Sequence, residues 1–195
     1  GEASMQQLTP LLLDWTVNGR LWDRMGNRDV VHAPHAVFPS TGDDEWVAIA
    51  VTDDDQWRAL CELINAPELA GLDIDARRAD QDELEQRIGE WTSERSCTDT
   101  MAICQAAGIP SHRVQNTDHC LDDPQLAHRN HFIEVGHPTQ GTTTIENSRF
   151  IMSRTPAVVT YGGPTWGDHN WEILTEELGY DPDRIAELAI AEVLG

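Results

Sequence analysis

The stretch Asp44-Glu45-Trp46-Val47-Ala48-Ile49-Ala50-Val51-Thr52-Asp53-Asp54-Asp55-Gln56-Trp57 decides the fold class. Its first half is an apolar run, Trp46 to Val51, that follows the turn-forming Ser40-Thr41-Gly42-Asp43-Asp44 and has the length of a buried strand. Its second half changes period. Trp57, Leu60, Cys61 and Ile64 recur at i, i+3, i+4 and i+7 until Pro67, so a helix follows the strand. Asp53, Asp54 and Asp55 fall in the first turn of that helix, where negative charge favours the helix dipole. A strand that hands over directly to helices predicts a soluble module of mixed α and β structure.

Toward the carboxyl end, Asp80-x-x-Glu83 has the pattern of a capping box before Leu84, Ile88 and Trp91. Ser96-x-x-Asp99 opens another helix that carries Met101 and Cys104 and stops at Gly108 before Pro110. The expected order is one strand and then three helices. Short strands follow at His112 to Gln115 and Phe132 to Val135, flanking a turn-rich segment in which Asp123-Pro124 starts a single helical turn. Residues 136 to 166, rich in Gly, Pro and Thr, read as a connector with one strand near Thr142 to Ile145. In the tail, Trp171, Leu174 and Leu178 share a helical face, Gly179 stops it, and Asp181-Pro182 starts a last helix through Ile185, Leu188 and Ala189. Toward the amino end, Thr9 reads as an N-cap before Pro10, with Leu8, Leu11, Leu12 and Trp15 on one face and Asn18-Gly19 as the stop.

Charge narrows the chemistry. The formal charge of -21 comes from 34 acidic residues against 13 basic ones, all 13 of them arginine, so no lysine is present to form a Schiff base or act as a nucleophile. So acidic a surface repels nucleic acid and anionic lipid, and no run approaches the roughly 18 apolar residues of a membrane span. The expectation is a soluble, cytoplasmic protein, with adaptation to high salt as a side reading. Cys61, Cys97, Cys104 and Cys120 form no C-x-x-C pair and read as buried thiols in a reducing compartment.

Two constellations compete for function. His119, His128, His131 and His137, with Asp118, Asp122 and Asp123 nearby, suggest a metal-dependent hydrolase, but no ordered motif such as H-E-x-x-H accompanies them, and hydrogen-bonded or solvated histidines, with no metal, are the expectation. His32 and His35 bracket Ala33-Pro34 at a loop-to-strand transition suited to a ligand-facing side chain or to a structural turn. The helix start at Asp53 to Asp55 suits the adenine, ribose or pantetheine of a cofactor better than its phosphates, which three carboxylates would repel.

Several motifs in order resemble family III CoA-transferases, the group of formyl-CoA:oxalate and carnitine CoA-transferases and α-methylacyl-CoA racemases. They are Arg24-Met25-Gly26-Asn27 with Ala33-Pro34-His35, Asp44-Glu45-Trp46 leading through Val51 to Gln56-Trp57, Ala107-Gly108-Ile109-Pro110 with Val114, Asp123-Pro124-Gln125-Leu126, and Pro164 to His169 with Leu178-Gly179-Tyr180 behind. The resemblance covers the family's C-terminal half and implies an α+β fold in three regions: a linker helix over 1–29, a small α+β domain over 30–135, and over 136–195 a connector with a helical tail that packs back on a Rossmann-like large domain. It also implies coenzyme A esters and small carboxylic acids as substrates, and two partners, the N-terminal large-domain half and a second copy in an interlocked homodimer. The family's catalytic aspartate, which passes through an acyl anhydride and a CoA thioester, matches no residue here, so no catalytic residue is assigned and the chain alone is expected to be inactive. The family's substrate loop falls on Asp29 to Ala33, which nominates Val31, His32 and Ala33; its glycines are absent, which argues against an oxalate-like substrate. The CoA-contacting stretch falls on Asp53, Asp54 and Asp55. An acyl-CoA racemase of the same family and a non-catalytic acyl-CoA-binding subunit are the alternatives.

Overall fold

Two helices open the chain, α1 (Glu2–Gln7) and α2 (Thr9–Asn18), in a computed structural model that describes residues 1–194. Thr9 is the first residue of α2 and not its cap: its hydroxyl donates to the carbonyl of Gln6, because α1 already occupies the positions before it. Gly19 ends α2 in the left-handed region, at φ +67°, a conformation that costs glycine little. No residue of α2 is buried, and Leu13 and Trp15 are each more than half exposed.

The chain then enters β1 (His35–Pro39) and β2 (Trp46–Ala50). Helix α3 (Asp54–Leu63) follows, then a single 3-10 turn at Pro67–Leu69 and three helices, α4 (Ile74–Ala79), α5 (Gln81–Ser93) and α6 (Cys97–Ala106). Strand β3 (Ser111–Arg113) completes an antiparallel sheet of order β1-β2-β3. The register sets His35 opposite Ala50, Phe38 opposite Val47, and Ile49 opposite Ser111. Because side chains alternate along a strand, Phe38, Val47 and Ile49 turn inward, while His35, Val37, Ala48, Ala50 and His112 belong to the other face. Onto the inner face pack Trp57, Leu60 and Cys61 of α3, Leu84 and Ile88 of α5, and Cys97 and Cys104 of α6, all buried in one cluster.

The strand-to-helix switch is therefore present as expected, with two amendments. Asp53 caps α3 from outside instead of lying in its first turn, and its carboxylate accepts from the Gln56 amide. Helix α4 stands between the first two expected helices, and the capping box at Asp80 and Glu83 is not made. Asp80 is also the residue that ends α4, at φ -104° and ψ 21°, and not in the extended conformation usual for a capping side chain. Ser96 does cap α6, accepting from the Asp99 amide at 3.0 Å.

Residues up to Val114 form one compact unit and residues from Gln115 a second. In the second, α7 (Thr117–Leu121) and α8 (Pro124–His128) precede a hairpin of β4 (Phe132–His137) and β5 (Gly141–Glu146), paired with Ile133 opposite Ile145. Asp123 caps α8 through the amides of Gln125 and Leu126. The tail holds α9 (Asn170–Glu172), a π-helical turn at Ile173–Glu177, and α10 (Pro182–Ile190), whose cap is Asp181. The wide π turn shifts the expected stripe of Trp171, Leu174 and Leu178, and Trp171 and Leu178 are each 58% exposed. Among the described residues no helix is long and apolar enough to cross a membrane.

Candidate functional site

Three loops meet at one end of the β1-β2-β3 sheet. The antiparallel pairing carries on past the strands: the Val51 amide donates to Pro34 at 2.9 Å and the Ala50 amide donates to Pro110 at 3.0 Å. The segment entering β1, the segment leaving β2 toward α3, and the Gly108-Ile109-Pro110 turn entering β3 are thereby backbone neighbours. This brings the expected substrate loop and the expected CoA-contacting stretch to the same sheet end, although they are twenty residues apart in sequence.

Within the first loop, the Asp29 carboxylate accepts from the amides of Val31 at 2.7 Å and His32 at 2.9 Å. Those two N–H groups hold its carboxyl below the ordinary aspartate range, helped by the nearby His32 and His35. Val31 is exposed, His32 half-buried and Ala33 fully buried ahead of a cis Ala33-Pro34 bond. Val31 and His32 are thus the members of this trio that solvent can reach.

In the second loop Asp53, Asp54 and Asp55 do three different things. Asp53 caps α3, Asp55 pairs with Arg58, and Asp54 accepts from Arg77 Nη2 at 2.9 Å. Arg77 is only 2% exposed, its guanidinium 5.5 Å from the centre of the Trp57 ring. Its Nε and Nη1 have no hydrogen-bond partner among the described residues. Sequence reasoning missed this residue, which lies in the unexpected α4.

Beside the loops, a groove of about 550 Å³ runs over the outer face of the sheet, floored by Ala48 and Ala50 and flanked by Asn27, His35, His112 and Pro110. Each imidazole is held through Nδ1, His35 donating to the Asn27 carbonyl at 2.6 Å and His112 to that of Arg113 at 2.8 Å. For His35, donation from Nδ1 leaves Nε2 as the remaining ring position for a ligand. Arg28, at the groove's edge, is tied to Glu85 and Asp82, which raise its pKa. The alternation of strand residues was the only sequence signal for His112, and a three-residue strand is too short to display it.

The remaining histidines and cysteines are used locally. His119 completes a capping box with Asn116 on α7, His131 packs edge-on against Phe132 at 4.7 Å, and His137 Nδ1 accepts from the Thr139 and Gln140 amides. No three His, Cys, Asp or Glu side chains cluster in a metal-holding arrangement among the described residues. Burial pushes the Cys61 and Cys104 thiols up to about 11, and raises Cys97 too, whose Sγ lies 2.9 Å from Glu45 Oε2.

Among solved structures this fold resembles a CaiB/BaiF family protein from Brucella suis, at a TM-score of 0.71 and 23% identity, over 87% of this chain and 44% of that one. The architecture is thus a mixed helix-and-sheet fold of the CaiB/BaiF type. The model of CoA-transferase family III matches residues 2–170, and this chain belongs to that family. Among its relatives, the succinyl-CoA–D-citramalate CoA-transferase of Chloroflexus aurantiacus is 30% identical over 98% of this chain and 48% of its own length. The succinyl-CoA:mesaconate CoA-transferase of Haloarcula marismortui is 31% identical over 86% of this chain and 42% of its own length. The chain spans about half the length of the curated relatives it matches.

Proposed function

We propose that this chain is the acyl-CoA-handling C-terminal portion of a CoA-transferase that moves CoA between small dicarboxylic acids. The observation that carries the reading is the family match through residues 2–170 with relatives named for succinyl-CoA exchange. In this reading a carboxylate attacks the thioester carbonyl and expels CoA thiolate, leaving an acyl anhydride. The thiolate then attacks the enzyme's own carbonyl, releases the donor acid and forms an enzyme–CoA thioester, and the acceptor acid reverses both steps. The attacking group is an aspartate in the part of the relatives' length that this chain does not match.

The roles proposed here follow from position. Val31 and His32 flank the acyl group, and Ala33 sets the buried backbone behind them. Asp53 to Asp55 lie along the polar, non-phosphate part of the CoA ester. The partners are an N-terminal large-domain half and a second copy of the assembly. The apolar side chains left exposed on α2 and in the tail, Trp15 at 54%, Phe150 at 80% and Trp166 at 89%, support such a cover.

The test is exchange of CoA from succinyl-CoA to a panel of dicarboxylic acids, using this chain co-expressed with a polypeptide matching the N-terminal half of its relatives. Transfer is expected, with His32→Ala changing the preference among acceptors more than the yield of folded protein. Failure of every acceptor in a properly assembled complex would overturn the reading.

A further inference from the structure

We propose that the pocket between the end of α8 and the exit of β5 is a binding site for a phosphoryl group, a site distinct from the sheet-end loops and independent of the transferase reading. The pocket measures about 340 Å³ and is lined by Leu126, Arg129, His131, Ser148 and Arg149. That volume is at the lower end of the ligand pockets of folded proteins, about 300–1,000 Å³.

In a chain with 34 acidic residues and 13 arginines, two guanidiniums at one pocket, with the His131 ring beside them, form an island of positive charge carried by the arginines. The backbone, not acidic partners, gathers these groups. The His131 amide closes α8 by donating to Leu126, Asn130 turns the chain at φ +52°, and the Asn147 amide donates to His131 at 2.7 Å, binding the helix end to the hairpin's exit. Asn147 reinforces this by donating from Nδ2 to the Asn130 carbonyl. Arg129 Nη2 then reaches the backbone carbonyl of Arg149 at 3.4 Å, which sets one cation against the residue bearing the other.

Glu146, 3.1 Å from Arg149, is the only carboxylate in an ion pair with either guanidinium among the described residues. Two cations against one anion leave a positive remainder at the pocket, and both side chains are exposed, so their forks can turn toward a ligand. Guanidinium forks bind oxyanions in paired hydrogen bonds. Two forks offer more N–H donors than one planar carboxylate accepts, which suits the several oxygens of a phosphoryl group; the Ser148 hydroxyl borders the site but already donates to the Phe150 carbonyl.

The test titrates pyrophosphate, CoA and succinate separately into the full chain by calorimetry, with ionic strength held constant by sodium chloride. Pyrophosphate is expected to bind saturably, and the Arg129→Gln/Arg149→Gln double variant to weaken it by about tenfold or more. Arg129→Gln alone serves if the double variant folds poorly, and an unchanged melting temperature separates lost binding from lost structure. Loss of CoA binding in the same variants would identify a nucleotide phosphate as the occupant; undiminished CoA binding would identify a free phosphate. Either supports the site. No saturable pyrophosphate binding up to about 10 mM, undiminished pyrophosphate binding in the variants, or tighter binding of succinate than of pyrophosphate would overturn it.

Discussion

Removing the carboxylate of Asp54 is expected to destabilise the first unit more than removing the arginine it holds. Arg77 is nearly inaccessible, yet Asp54 is 70% exposed and is the only carboxylate paired with it among the described residues. In Asp54→Ala a buried guanidinium keeps its charge and loses its one acceptor among the described residues, where Nε and Nη1 already lack partners. A charge-assisted hydrogen bond contributes about 1.5–3 kcal/mol, and the solvent around Asp54 screens the pair toward the middle of that range, so the expected loss is about 2 kcal/mol. Arg77→Met removes the buried charge along with its unpaired donors and leaves an apolar chain over Trp57. Replacing a buried ion in this way is often neutral, so a change within about 1 kcal/mol is expected. Adding Asp54→Ala to Arg77→Met should then cost almost nothing. Urea unfolding followed by tryptophan fluorescence measures all three variants and closes the cycle. A neutral Asp54→Ala, or an Asp54→Ala effect of the same size in both backgrounds, would refute the coupling.

Other outcomes follow from the same geometry. A thiol reagent should label Cys120 first in the native chain and reach Cys61, Cys97 and Cys104 only on unfolding, since these three are buried; four equally fast thiols would contradict the packing. Because the folded values of Cys61 and Cys104 are raised above the ordinary 9.0, their contribution to stability is complete below pH 9.0 and is lost as pH rises through about 11, a decline that Cys61→Ala/Cys104→Ala should flatten. Asp29 has the opposite sign. Its depressed value stabilises the 29–34 loop above the ordinary 3.8 and releases it as pH falls below that, so His32 and His35 ring resonances should shift in this acid range in the wild type and not in Asp29→Asn. With a formal charge of -21, the melting temperature should rise from low to molar salt, and a flat profile would remove self-repulsion as a factor.

What could be read in advance was what local chemistry dictates. The change from an apolar run to a 3.6-residue period at Thr52 located β2 and α3, and Ser96 and Asp181 announced helix starts that the structure caps as expected. Asp80 failed because a capping pattern does not say whether another helix already ends on the same residue. At the candidate site, the loop at Asp29 and the stretch at Asp53 could be nominated separately, but their adjacency depends on the antiparallel pairing of His35 with Ala50, which no local pattern encodes. Arg77 was hidden for a similar reason. In Asp73-Ile74-Asp75-Ala76-Arg77-Arg78 it resembles a solvated surface charge, and only the position of α4 relative to Trp57 buries it.

Under the proposed function this chain handles the CoA ester while the covalent step occurs on a carboxylate elsewhere in the assembled enzyme. Mass spectrometry of the reconstituted complex, quenched during turnover of succinyl-CoA and digested, tests this most directly. A CoA-thioester adduct is expected on an aspartate of the co-expressed N-terminal half, with unmodified peptides throughout this chain. A turnover-dependent adduct on any of this chain's 34 carboxylates, Asp53 to Asp55 included, would contradict it.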